Sequence, residues 1–252
     1  SCCSKVTGDV EVLVPDIASA YKSRMKVADL SSPEEVAIFD RAKQDVADAG
    51  ITFENDFSVV ELQMTAPSLE DTMPDNERLS WAIEAATGIE NVKLTYHVLK
   101  KLPDALRDNE FHVNVVLKKL HHSVLVYDVV PVTEERICGA AIDICTTTVS
   151  AVILDLRDGK ILAKASAGNG QIRFGADVIN RIIESRKTGG EAKLQKAIID
   201  ETLNPMLHNM CRAAGIQGSQ IYHLCVASNT TMNHLLLGVN ADPLRMEPYI
   251  PT

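Results

Sequence analysis

The sequence predicts an α+β protein made of two successive units, and three patterns carry that prediction. Apolar and polar residues alternate over 111–117 and an apolar run returns over 124–130 after a polar turn, which reads as a β-hairpin. Three apolar runs between 138 and 167, parted by a Thr-rich turn and by Asp158-Gly159, read as an antiparallel meander. Helical apolar stripes then follow that meander, before a last strand at 221–227.

The earlier elements follow in order. Residues 8–14 (GDVEVLV) alternate with period two and read as a strand closed by Pro15, with a helical stretch from 17 to 25 behind it. Ser32-Pro33-Glu34-Glu35 supplies a hydroxyl cap, a proline at the first helical position and a capping-box glutamate; Val36, Ile38, Phe39 and Val46 continue the stripe towards Gly50. A strand is expected over 58–64. Pro74-Asp75-Asn76-Glu77 opens a helix with Leu79, Ile83 and Ala86 on one face and Gly88 as its stop. Residues 92–98 read as a strand and 103–108 as a short helix.

In the second unit, strands are expected over 138–144, 149–156 and 160–167. A helix follows with Val178, Ile179, Ile182 and Ile183, then a longer one over 192–213 with Leu194, Ile198, Leu203 and Leu207. Ser228-Asn229-Thr230-Thr231 starts a final helix that Gly238 ends.

Composition narrows the function. At 252 residues the chain holds roughly one large or two medium domains. A net charge of −9, a single Trp and no basic cluster exclude a nucleic-acid partner, which requires a cationic face. No run approaches the ~20 apolar residues that span a bilayer, and no signal pattern opens the chain, so a cytoplasmic protein with no membrane partner is expected. Six cysteines stand at 2, 3, 138, 145, 211 and 225 with no CxxC pair; Cys138, Cys211 and Cys225 are expected to be buried free thiols. His97, His112, His121 and His122 lack partners at metal-ligand spacing. The start at Ser1 and the stop at Pro251-Thr252, without a polar tail, lead us to expect cut ends.

Chemistry concentrates at Asp143-Ile144-Cys145-Thr146-Thr147. A carboxylate at a strand end can hold Mg²⁺ through water, and a tight turn of hydroxyl residues offers N–H and O–H donors to phosphate. Asp143 falls inside an apolar pattern, and a buried, unpaired carboxylate is costly enough to argue for function. A plain Thr-rich hairpin turn is the alternative. Ser228-Asn229-Thr230-Thr231 likewise suits either an anion site at a helix start or simple capping. Cys2-Cys3 reads as a metal-ligand remnant or as two ordinary thiols.

Taken together, these residues resemble a known family. Asp143-Ile144-Cys145-Thr146-Thr147-Thr148 is similar to the first phosphate motif of the actin, sugar-kinase and Hsp70 ATPase superfamily. More narrowly, Gln171-Ile172-Arg173-Phe174-Gly175-Ala176-Asp177-Val178-Ile179-Asn180-Arg181-Ile182, Asn229-Thr230-Thr231-Met232-Asn233-His234-Leu235-Leu236-Leu237-Gly238 and Pro248-Tyr249-Ile250-Pro251 resemble segments of the reductive activators of corrinoid proteins. So do Ala66-Pro67-Ser68-Leu69-Glu70-Asp71 and Asp75-Asn76-Glu77-Arg78-Leu79 in the first unit.

The resemblance implies four segments: the end of a 2Fe-2S ferredoxin-like domain at 1–7, a linker region at 8–56, a middle domain at 57–132, and the first, incomplete lobe of an actin-like (ribonuclease-H-like) ATPase domain at 136–252. It implies ATP-dependent reduction of Co(II) corrinoid proteins of methyltransferase systems to Co(I). The cofactors would be Mg²⁺, ATP and an iron–sulfur cluster, and the partners a corrinoid protein, an electron donor such as a ferredoxin, and a second copy in a homodimer. By resemblance Asp143 is catalytic, near Mg²⁺ and the attacking water; Thr146 and Thr147 face the phosphates, and Asn229 and Thr230 line the same cleft. Cys2 matches the last cluster ligand, the others falling upstream, so no cluster is expected on this chain, since four ligands are needed. The second phosphate and adenosine motifs would fall beyond Thr252, so the chain alone is expected to be inactive.

The chain departs from the family at Cys145 and Ser228, where glycine is usual; a side chain there crowds the nucleotide or strains a left-handed backbone. Two other readings stand beside this one. A sugar-kinase-type phosphotransferase would share the phosphate turn but not the first-unit signature. A non-catalytic binding module of the same fold would explain Cys145 and Ser228.

Overall fold

The computed structural model describes residues 26–27, 33–51, 56–133 and 136–252. The strand expected at 8–14, the helix at 17–25 and Cys2-Cys3 lie outside the described residues.

In chain order the first elements are β1 (Lys26–Val27), α1 (Pro33–Asp48), β2 (Phe57–Gln63), α2 (Asp75–Thr87), β3 (Val92–Leu94), α3 (Tyr96–Asp108), β4 (His112–Leu120) and β5 (Ser123–Pro131). The four strands β2 to β5 form one sheet in the order β2-β4-β5-β3, with β3 parallel to β5 and the other pairs antiparallel. The β4–β5 hairpin is the one its alternation predicts: Val113, Val115 and Leu117 are buried, as are Val129 across from Val115 and Val126 across from Leu117. They form one apolar core with Leu79 and Ile83 of α2 and with Val98, Leu102 and Leu106 of α3.

The strand expected over 92–98 is cut to three residues, and the short helix expected at 103–108 begins at Tyr96. Thr95 causes both changes, because its hydroxyl accepts the Val98 N–H at 3.2 Å and caps a helix start within the apolar run. Pro103 lies inside α3 and forfeits a backbone bond. Burial of Val98, Leu102 and Leu106 at four-residue spacing on the sheet outweighs that loss.

The first-unit signature is a structural clamp. Buried Arg78 donates to the Asp71 carboxylate at 2.7 Å and to the Thr65 carbonyl at 3.0 Å, while the Ser68 hydroxyl accepts from Asp71 N. Arg78 holds the Asp71 carboxyl below the usual carboxylate range by that hydrogen bond. These contacts fasten the segment between β2 and α2.

The second unit continues with β6 (Cys138–Ile144), β7 (Thr148–Asp155), β8 (Ile161–Gly168), a 3₁₀ turn (Gly170–Phe174), α4 (Val178–Ser185), α5 (Gly190–Ile198), a π turn (Ile199–Leu203), α6 (Asn204–Ala214), β9 (Ile221–Ser228) and α7 (Thr230–Leu237). Its sheet runs β1-β8-β7-β6-β9. The meander β6-β7-β8 is antiparallel, and β9 returns parallel to β6 after the helices. The helix expected as one piece over 192–213 is widened at the π turn just ahead of Pro205, whose ring and missing N–H conflict with a regular α-helical path there.

Pleating decides which face of this sheet is covered. Ala140, Ile142 and Ile144 of β6 face the helices and are buried with Val149, Ala151, Ile153, Ala163 and Ala165. Asp143 points the other way. It is exposed, contrary to the interior position its apolar neighbours suggest, because the sheet face shared by Ala141, Asp143, Ser150, Val152 and Lys164 is a shallow concavity of about 280 Å³. Cys225 belongs to the same open face and is also exposed, so the expected burial holds for Cys138 and Cys211 only. Burial pushes the Cys138 thiol up to about 11.

The two units touch. Phe57, Val116, Val130 and Ile137 form a third buried cluster, with Leu156 and Tyr222 packed on it. The Tyr222 hydroxyl donates to Asp128 at 3.1 Å, and Lys101 pairs with the same carboxylate.

Candidate functional site

The parallel pairing of β6 with β9 sets Asp143 beside Ala227 and Ile144 beside Ser228. Both strands therefore end at the same edge of the sheet, where ligands of α/β sheets commonly bind. The turn Cys145-Thr146-Thr147 leaves β6 there, and Asn229-Thr230 leaves β9 beside it. The Asn229 side-chain amide donates to the Thr146 hydroxyl at 3.3 Å, joining the two segments. Its carbonyl oxygen accepts the Met232 N–H at 3.0 Å and caps α7. Asp143, Thr146, Thr147, Asn229 and Thr230 are thus brought to one edge of the sheet; all but the half-buried Thr146 are exposed.

The turn has a defined inside and outside. Cys145 N donates to the Thr148 carbonyl at 2.9 Å and closes it. Behind it, the Asn169 side chain donates to the Cys145 carbonyl at 2.9 Å, Arg181 to the Thr146 carbonyl at 2.5 Å, and Asn169 N to the Thr147 carbonyl at 2.9 Å. In a planar trans peptide the next N–H points opposite to the carbonyl. With the Cys145 and Thr146 carbonyls drawn inward, the Thr146 and Thr147 N–H groups face outward, an arrangement that suits an anion.

Asn169 and Arg181, both fully buried, are residues to which the sequence alone assigns no role, although Arg181 falls within the family-like segment 171–182. One signal was available for Arg181: it shares a helical stripe with Val178 and the buried Ile182, an unusual place for a guanidinium. Ile179 and Ile183, on the stripe the sequence suggested, are exposed at 45% and 43%.

The two departures from glycine carry no backbone strain. Positive φ among described non-glycine residues occurs at Glu110, Phe111 and Tyr249, not at Cys145 or Ser228. The Cys145 thiol donates to the Asp143 carboxylate at 3.3 Å, and that hydrogen bond raises its pKa, so it stays a protonated, weak nucleophile. The Ser228 hydroxyl donates to the Asn233 side-chain oxygen at 2.7 Å. Among the described residues no group of three His, Cys, Asp or Glu could hold a metal ion, and no helix is long and apolar enough to cross a membrane.

An antiparallel three-stranded meander with a fourth strand parallel to its first, and a hydroxyl turn between the first two strands, defines a ribonuclease-H-like lobe of the actin type. Comparison with known proteins gives the family. A family model described as "RACo linker region" matches residues 46–136, and one described as "RACo middle region" matches 138–252. The chain belongs to this family of reductive activators of corrinoid proteins. In the family's vocabulary the first sheet falls in the linker region and the actin-like lobe in the middle region.

A curated relative, "Corrinoid activation enzyme RamQ" of Eubacterium limosum, is 36% identical over 129 residues, covering 50% of this chain and 21% of its own length. A solved structure, "Reductive activator for corrinoid,iron-sulfur protein", matches with a TM-score of 0.65 at 34% identity, over 79% of this chain and 32% of that one. The chain thus spans about a fifth of the curated relative and about a third of the solved structure.

Proposed function

We propose that this chain supplies a phosphate-binding edge to an ATP-dependent activator that returns Co(II) corrinoid proteins of methyltransferase systems to Co(I). The observation that carries this reading is the turn at the end of β6: its Cys145, Thr146 and Thr147 carbonyls are all drawn inward, beside an exposed carboxylate. Such an edge suits Mg²⁺–ATP, with amides for phosphate oxygens and Asp143 to hold the ion through water. Thr146 and Thr147 offer hydroxyls in front, and Asn229 and Thr230 close the side nearest α7.

When bound, the nucleotide supplies the free energy that makes an uphill electron transfer possible. The residues of this chain orient it. Asp143 has one oxygen engaged by the Cys145 thiol and another left for a metal-bound water. Asn229 holds the Thr146 hydroxyl in place through its side-chain amide. Electrons would arrive through a 2Fe-2S centre that has Cys2, outside the described residues, as one of its four ligands. A ferredoxin-like donor, homodimerisation and a cytoplasmic location belong to the same reading. So does the division at 7, 56 and 132–136. The family match favours this function over a sugar-kinase-type phosphotransferase. The absence of strain at Cys145 and Ser228 removes one argument for a degenerate module.

The test is cobalt reduction by the intact gene product, with a Co(II) corrinoid protein and a chemical reductant, followed by the visible spectrum of Co(I). Reduction that depends on ATP is expected. Equal rates with and without ATP would overturn the proposal.

A further inference from the structure

Arg181 is the largest fully buried side chain among the described residues. A buried guanidinium ordinarily meets a carboxylate, because an unpaired interior charge is costly. Here all three acceptors are uncharged: the Thr146 carbonyl at 2.5 Å, the Gly175 carbonyl at 2.8 Å and the Met232 sulfur at 3.3 Å. Asp177 acts on it only through space, its own oxygens accepting from Asn180 N and the Asn180 side-chain amide. Burial pushes the Arg181 guanidinium down to about 10, which leaves it charged at neutral pH.

The position of this charge is specific. Arg181 ties the turn after β6 to the segment before α4 and to the first turn of α7, the three pieces that meet behind the candidate site. Gly175 makes the approach feasible: a Cβ there would come within 2.8 Å of Arg181 N, although its φ of 169° is ordinary extended backbone. The cation sits behind the turn and the outward amides of Thr146 and Thr147 lie in front.

We infer that Arg181 is a positioning residue of the phosphate turn: it fixes the turn so that the amides face outward, and its charge, which no carboxylate hydrogen-bonds, favours polyphosphate in front of them. This rests on the phosphate-site reading above, and it adds a residue that touches no ligand. A low-dielectric setting with few competing charges lets the guanidinium act through the turn. Its effect should therefore grow with the charge of the ligand.

The experiment uses the intact gene product and its R181Q and R181K variants. Amide hydrogen exchange is measured without ligand, and calorimetric titration with adenosine, MgADP and MgATP. In R181Q the two amides whose hydrogen bonds close the turn, Cys145 N and Asn169 N, should exchange about tenfold faster or more, the scale of one lost charge-assisted hydrogen bond, with the rest of the β6–β8 ladder unchanged. Affinity should fall little for adenosine, more for MgADP and most for MgATP. R181K lacks the forked donor but keeps the charge, so fast turn exchange should persist while the charge-graded loss is largely restored. It also decides the matter if R181Q fails to fold.

Wild-type exchange at Cys145 N and Asn169 N in both variants would overturn the positioning role. An equal loss for adenosine and MgATP would overturn the charge role and leave a merely structural arginine. If the wild-type protein binds no nucleotide, the phosphate reading and the charge role fall together, while ligand-free exchange still decides the positioning role.

Discussion

Asp143→Ala in the intact gene product is expected to lower ATP-dependent cobalt reduction about 100-fold or more, the scale seen when one group preorganised for transition-state charge is removed. Folding should be untouched. Asp143 is exposed, and its hydrogen bond is to the neighbouring Cys145 thiol. A circular-dichroism melt identical to wild type, together with the lost activity, would separate a chemical role from a structural one. Retention of more than half the activity would remove Asp143 from the mechanism. The carboxylate lies on the open sheet face, so solvent and ion reach it without local unfolding.

Leu194→Ala should have the largest effect on stability. Leu194 is fully buried on α5, which packs against α4 and α7, and it belongs to the same apolar core as Ile142, Ile153 and Met206. Deleting a buried leucine side chain costs about 2–5 kcal/mol through lost transfer energy and the cavity left behind. Its carbonyl also accepts from the buried Gln171 side chain at 3.1 Å, so any shift of α5 would disturb the segment leading to Arg181. Urea denaturation followed by circular dichroism checks the size of the loss. A change below about 1 kcal/mol would mean the core relaxes around the gap more fully than its packing implies.

The elements legible in the sequence were those fixed by local pattern. The β4–β5 hairpin shows alternation over 111–117, the β6–β8 meander shows apolar runs parted by turn residues, and Asn229 before an apolar helix is a cap in sequence as in structure. Residues 92–98 misled because a short apolar run suits strand and helix alike, and Thr95 decides between them only once its hydroxyl is seen to cap. Asp143 looked interior because its neighbours are apolar. The sheet pleat places those neighbours on one face and Asp143 on the other, and sequence does not reveal which face is covered.

The front of the candidate site was legible and its back was not. Threonines and asparagine in a turn announce themselves. Asn169 and Arg181 act on carbonyls 24 and 35 residues away, and no local spacing encodes such a contact. The clamp of Arg78 on Asp71 shows the opposite case, in which a recognisable signature serves folding and not chemistry.

The most direct test of the central claim is hydrogen exchange on the intact gene product with and without Mg²⁺–ATP. The account predicts protection at the amides of residues 145–148 and 229–231, with the first sheet over 57–131 unchanged. Protection confined to other segments, or none at saturating nucleotide, would contradict it.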